Sequence, residues 1–229
     1  SIPYNRNSKL LPAVAFGLCS GKGVPDSKVQ GILASWGKHV DSLTIFTKEG
    51  GAHPNEVKVE VPASEGAVRP GAEMSAIYLR SRRLLFELSP GMRWYFFCED
   101  NTFVILHRLQ ALLQWFEAFY NPLADPLFIG FKGDTAADFV FKTSFEADAE
   151  FPAPSLPFLH GGPGTLMSHA LARRMHHHWE ECISGLDESV TIAYCIYENN
   201  FTVMNEPLFE IEKVLPDSFG VLSAENKEL

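Results

Sequence analysis

Apolar residues along this chain fall into short continuous runs separated by stripes at helical spacing. Pro12–Cys19, PAVAFGLC, is the first such run and predicts a buried strand. Val29, Ile32, Leu33 and Trp36 then recur on one helical face, with Asp26 or Ser27 as the N-cap. Leu43–Thr47 predicts a second strand and Val57–Val61, which alternates cleanly, a third. Met74–Leu88 has Ile77, Leu84, Leu85 and Leu88 at helix spacing. Trp94–Cys98 is bracketed by Pro90-Gly91 before and acids after, and predicts a central strand buried on both faces. Val104, Ile105, Leu109, Leu112 and Leu113 predict the helix that follows, and Pro126–Phe131 another strand. Strands alternating with helices predict an α/β fold: a Rossmann-like, mostly parallel central sheet flanked by helices. The polar start, residues 1–11, predicts an extended arm, residues 215–229 a mobile tail, and Lys132–Leu156 a hairpin or loop. At 229 residues the chain suits a single domain spanning 1–229.

Charge narrows the function. The formal net charge is −9, which argues against a nucleic-acid binder, since that needs a basic face. No apolar run is long enough to cross a bilayer, so membrane association would come through an anchor outside these residues. Cys19, Cys98, Cys182 and Cys195 show neither CxxC nor Cys/His zinc spacing. Cys19 and Cys98 fall in predicted buried strands, as free core thiols or, if the strand ends are adjacent, as a pair. Three consecutive histidines, His176–His178, point about 100° apart on a helix and cannot share one metal; they predict a solvated helix end.

Three features admit two readings each. Ser20-Gly21-Lys22-Gly23 after the first strand is a plain turn, or a loop whose backbone approaches a diphosphate. Arg80, Arg82 and Arg83 form a solvated helix face, or contact that diphosphate. Glu99-Asp100-Asn101 either caps the next helix, through Asp100 or Asn101, or meets a ligand at the carboxyl end of a sheet strand.

WYFFCEDNTFVILHRLQALL resembles the acidic-motif segment of the fringe-like and core-1 β-galactosyltransferase-like families: an aromatic strand, three aspartates, threonine, an aromatic and a leucine-rich helix. Further landmarks follow in the family's order. VAFGLC…LASWGKHVDSLTIFT resembles its nucleotide-binding start, with Ser35-Trp36 and Ile45-Phe46-Thr47 at the matching places. PLFIGF matches its apolar-glycine strand, and Gly161-Gly162-Pro163-Gly164 stands where it has Gly-Gly-Ala-Gly. CISGLDESVTIAYC has its two cysteines 13 apart, and VMNEPLFEIEKV stands where it has an apolar-Phe-His segment.

The resemblance spans roughly Pro12–Val214 and implies a GT-A fold with a C-terminal acceptor-side half. It implies a UDP-sugar held by Ser20, Trp36, Arg80, Glu99, Asp100, Gly161 and Gly162, and inverting hexosyl transfer to a glycan or glycoprotein. It also implies manganese near Asp100, Asn101 and Glu210, a Cys182–Cys195 disulfide, and a secretory (Golgi or endoplasmic reticulum) or secreted location. The sequon Asn200-Phe201-Thr202 has meaning in that compartment.

Three positions depart from the family. Asn101 stands for a metal-binding aspartate, Ser189 for the catalytic base and Glu210 for a metal-binding histidine. Serine cannot deprotonate a sugar hydroxyl at neutral pH, which leaves Glu188 or Asp187 as the base. Two functions are therefore expected to compete: an active transferase with a rearranged site, or a catalytically impaired relative that binds a glycan or protein. Donor sugar, acceptor and oligomeric state are not set by the sequence.

Overall fold

The computed structural model describes residues 10–20, 26–51, 53–61, 72–135, 157–182, 188–206 and 209. The expected arm is described only from Leu10, and the expected tail lies outside the described residues. The strands are β1 (Leu10–Cys19), β2 (Val40–Thr47), β3 (Glu56–Lys58), β4 (Trp94–Glu99), β5 (Phe128–Gly130), β6 (Lys132–Thr135), β7 (Pro157–Leu159), β8 (Thr165–Ser168) and β9 (Val203–Asn205). The α-helices are α1 (Ser27–Ala34), α2 (Ala72–Leu88), α3 (Leu106–Phe119), α4 (His169–Met175) and α5 (Glu188–Glu198).

Seven strands form one sheet in the order β3-β2-β1-β4-β8-β5-β9, and β6 pairs with β7 beside it. All strands of the large sheet run the same way except β8, which is antiparallel to both β4 and β5. The mixed α/β fold with a mostly parallel, helix-flanked sheet is thus as expected. Its strands are apolar at consecutive positions because both faces are covered. Phe16, Trp94, Phe96 and Cys98 pack under α1 and α3, whereas Ala15, Cys19, Tyr95, Phe97 and Met167 pack under α2, α4 and α5.

Strand register decides the free thiols. Leu18 pairs with Cys98 and Cys19 with Glu99, so the two cysteines are one position out of step and face opposite sides of the sheet. Both are free and buried. Burial pushes the Cys19 thiol up to about 11.

Several elements differ from expectation. The α3 helix starts at Leu106, with Ile105 as a cap that makes no side-chain hydrogen bond, so neither Asp100 nor Asn101 caps it. Residues 102–105 are instead a connection without regular secondary structure, which leaves Phe103 and Ile105 exposed. The third strand is shorter than the alternation suggested and starts one residue earlier. Part of Lys132–Leu156 does enter a hairpin, through β6. Among the histidines, His176 contacts Glu87 at 3.0 Å and His178 contacts Glu181 at 3.0 Å, as a charged helix end rather than a shared site.

Asp26 caps α1 by accepting from the Lys28 amide at 2.8 Å. Ser168 caps α4, while the same hydroxyl donates to the Asp125 carbonyl at 2.7 Å, so one side chain anchors the β5 approach and the helix together. Cys182 and Cys195 are joined in a disulfide that closes a 13-residue separation and ties the approach to α5 onto the helix. A loop of that length restricts the unfolded chain by about 3 kcal/mol. Replacing both cysteines with alanine is expected to lower unfolding free energy by about that amount, measured by urea denaturation against the oxidised protein; no change would mean that the bridge constrains nothing.

Candidate functional site

The reversed direction of β8 builds the site. Phe97 near the end of β4 is paired with Thr165 at the start of β8. The chain leaving β4 and the chain entering β8 therefore emerge at the same sheet edge. The first is the acidic tip Glu99-Asp100-Asn101-Thr102, closed as a turn by the Thr102 amide on the Glu99 carbonyl at 3.1 Å. The second is Gly161-Gly162-Pro163-Gly164, closed by the Gly164 amide on the Gly161 carbonyl at 2.8 Å. The two turns touch, since the Thr102 hydroxyl donates to the Gly162 carbonyl at 2.5 Å.

The glycines have separate reasons. At Gly161 a Cβ would sit 2.7 Å from a Glu99 carboxylate oxygen. At Gly164, with φ +93°, it would meet the Phe96 ring at 2.5 Å. At Gly162 it would meet nothing within 4 Å. Packing and φ demand glycine at 164; at 161 a Cβ would only displace the Glu99 carboxylate, and at 162 the bare backbone faces open space.

Asp100 is the acid most clearly engaged. Its Oδ2 accepts from the buried Ser20 hydroxyl at 2.9 Å, and its Oδ1 lies 3.6 Å from the Lys28 ammonium. Ser20 continues β1, so the tips of two neighbouring parallel strands are joined here. The remainder of the Ser-Gly-Lys-Gly loop lies outside the described residues.

The start of α5 completes the wall. Ser189 is buried, and its hydroxyl accepts from the Gly161 amide at 3.1 Å. The side chain standing at the family's base position thus fixes the glycine turn. Glu188, partly exposed in the first turn of α5, lines a small pocket with Ser189, Gly161, Tyr78, Arg82 and Thr165 above an apolar floor. The pocket has room for about one water molecule. A carboxylate in the first turn of a helix is favoured by the helix dipole.

Two expected ligands of the nucleotide are elsewhere. Trp36 is 3% exposed, tilts against Phe16 at 5.6 Å between ring centres, and donates its indole N–H to the Thr102 carbonyl at 3.3 Å. It braces the acidic turn from within the core and offers no ring face to a base. Arg80 reaches the Glu60 carbonyl at 2.6 Å and does not line the pocket. Asp187 and Glu210 lie outside the described residues. Phe209, next to the latter, stacks on Phe96 at 6.1 Å.

Arg82 corrects the expectation of a solvated basic face. It is 2% exposed, with Nη1 donating to the Tyr78 carbonyl at 3.0 Å and Nη2 to the Thr165 hydroxyl at 3.2 Å. Its guanidinium carbon lies 4.6 Å from the Phe97 ring centre. Its Nε has no partner, and among the described residues no carboxylate pairs with it. Burial lowers its pKa to about 10, against the opposing pull of Glu188 among others, so it stays cationic at neutral pH. The signal was in the spacing: Tyr78, Arg82 and Leu85 share one helical stripe, and that stripe is buried. Thr102 was likewise missed as a pin, although it stands in the acidic motif itself.

Manganese fits the described donors poorly. One aspartate with both oxygens engaged, beside a neutral asparagine, is a weak set for a hard divalent ion that favours several oxygen ligands. Among the described residues no three His, Cys, Asp or Glu side chains are gathered to hold a metal, and no helix is long and apolar enough to cross a membrane.

No family model matches the sequence, and no curated protein matches it. Among solved structures, one is similar at a TM-score of 0.42 and 11% identity, over 84% of this chain and 82% of its own: a glycosyltransferase involved in the glycosylation of the major capsid of PBCV-1.

An unpaired buried cation is costly to the fold, and apolar replacements of such groups are neutral or stabilising. Arg82→Met is expected to keep or raise unfolding free energy, by up to about 1 kcal/mol, in thermal and urea unfolding. A loss of about 2 kcal/mol or more would show that the guanidinium serves the fold.

Proposed function

We propose that this chain is a UDP-sugar-dependent, inverting glycosyltransferase that moves a hexosyl group onto a glycan or glycoprotein acceptor. The observation that carries this reading is the contact between the acid-tipped end of β4 and the turn at Gly161–Gly162, with Glu188 on the adjoining wall. Open α/β sheets bind ligands outside the carboxyl ends of their strands. Here that edge carries acids that no helix cap requires and a glycine that no packing requires.

In the reaction, an acceptor hydroxyl oxygen attacks the anomeric carbon. The bond from that carbon to the diphosphate oxygen breaks, UDP leaves with the electron pair, and the configuration inverts. Glu188 takes the hydroxyl proton as the oxygen attacks. The bare backbone at Gly162 lets the sugar lie close to the turn, and Arg82, whose Nε–H has no partner, lines the adjoining pocket. Asp187 is the alternative base. The disulfide and the exposed sequon at Asn200 support a lumenal or secreted setting.

A second reading, a catalytically impaired relative that binds a glycan or protein partner, is favoured by Ser189. Its hydroxyl is committed to the Gly161 amide and cannot act on an acceptor.

One variant separates the two. With Glu188→Gln, UDP-sugar hydrolysis or transfer is expected to fall by about 10²–10⁴-fold, while the UDP dissociation constant changes less than about twofold. UDP binding without turnover in the unaltered protein favours the impaired relative. Undiminished turnover in the variant removes Glu188 as the base.

A further inference from the structure

We propose that the cation facing the nucleotide's diphosphate is the Lys28 ammonium, and that UDP binds here without a divalent metal. The proposal rests on the nucleotide-sugar reading of the strand-tip site.

The argument starts from Asp100. Its Oδ1 lies 3.6 Å from Lys28 Nζ, and its Oδ2 accepts from Ser20 at 2.9 Å. A divalent ion seated on Asp100 would stand a few ångströms from the ammonium, like charge against like. Of its two neighbours, Asn101 adds no negative charge, and the Glu99 carboxylate lies toward Gly161, where a Cβ would stand 2.7 Å from it. A site that holds a metal gathers anionic oxygens; this tip has a lysine in their midst. Lys28 lies in the first turn of α1, where the Asp26 carboxylate already takes its backbone amide, so the cation on offer is the side-chain ammonium alone. Its side chain is 60% exposed, so it is able to meet solvent and ligand together. An exposed ion pair contributes little to stability. The Lys28–Asp100 contact therefore has no strong structural purpose. Its effect is to hold a mobile cation over the sheet edge, pinned on one side by an aspartate that β1 and β4 jointly position.

Calorimetric titration of UDP in EDTA, and again with millimolar manganese, tests this. The expected result is binding in EDTA, with a dissociation constant that manganese changes less than about threefold. Lys28→Met is expected to weaken UDP at least tenfold in EDTA, Lys28→Arg much less, and the far-UV circular dichroism of both variants to match the parent. Binding that appears only with manganese, or an unaltered affinity in Lys28→Met, overturns the proposal and leaves the nucleotide site standing. No UDP binding in either buffer overturns the nucleotide site itself and this proposal with it.

Discussion

One reversed strand determines where chemistry is possible in this protein. Had β8 run parallel to β4, its leading turn would lie at the opposite edge of the sheet, a strand length from the acids. Because it is antiparallel, with Thr165 beside Phe97, the turn before it continues past the end of β4. The Thr102 hydroxyl then fastens one turn to the other, and the Trp36 indole holds Thr102 from below. A connection that leaves a buried sheet has to satisfy its backbone groups somewhere. Here the two connections satisfy each other, which makes the edge rigid without filling it.

Rigidity of that kind has a cost, and Arg82 shows it. A guanidinium with an unpaired Nε, buried between Phe97 and α2, is a poor choice for stability alone. Burial weakens its hold on its proton, yet not enough to neutralise it. Groups held in unfavourable states by their surroundings concentrate where ligands bind, because the missing partner arrives with the ligand. The pocket beside Arg82 also contains Glu188 and the Tyr78 side chain, so donor and acceptor groups face one small space over an apolar floor. At the size of one water molecule, that space holds a solvent molecule between these groups rather than a larger ligand.

Strands β1, β2, β4 and β5 were legible because they are short apolar runs bounded by turns, whereas β8 and β9, at four and three residues, are too short to show such a run. The Cys182–Cys195 bridge and the meeting of acids with glycines followed from the order of motifs. The start of α3 was misjudged because Val104 and Ile105 keep helical spacing although the backbone there is not yet helical; periodicity is blind to the difference. Trp36 was assigned to the ligand from motif position, but a tryptophan just past the end of α1, packed on Phe16, is drawn into the core by the area it buries. Arg82 was taken for a surface residue by type. Its place on the stripe of Tyr78 and Leu85 argued otherwise, and position outweighed type. Direction of pairing, on which the whole site rests, leaves no trace in periodicity, since β8 reads the same either way.

The departures from the family pattern make more sense together than apart. Asn101 in place of an aspartate removes one negative charge from the tip; Lys28 beside Asp100 adds one positive charge. Each alone would unbalance a metal site. Both together lower the negative charge at the tip without cancelling it, since Glu99 remains beside Asp100. Ser189 follows a similar logic on the other wall. Its hydroxyl anchors Gly161, while the neighbouring Glu188 carboxylate still lines the pocket. Glu188 is one residue away on the same helical turn, partly exposed where Ser189 is buried. A one-residue shift of function along a helix rotates the acting group by about 100°. The Glu188 carboxylate accordingly faces a different quarter of the wall from the Ser189 hydroxyl.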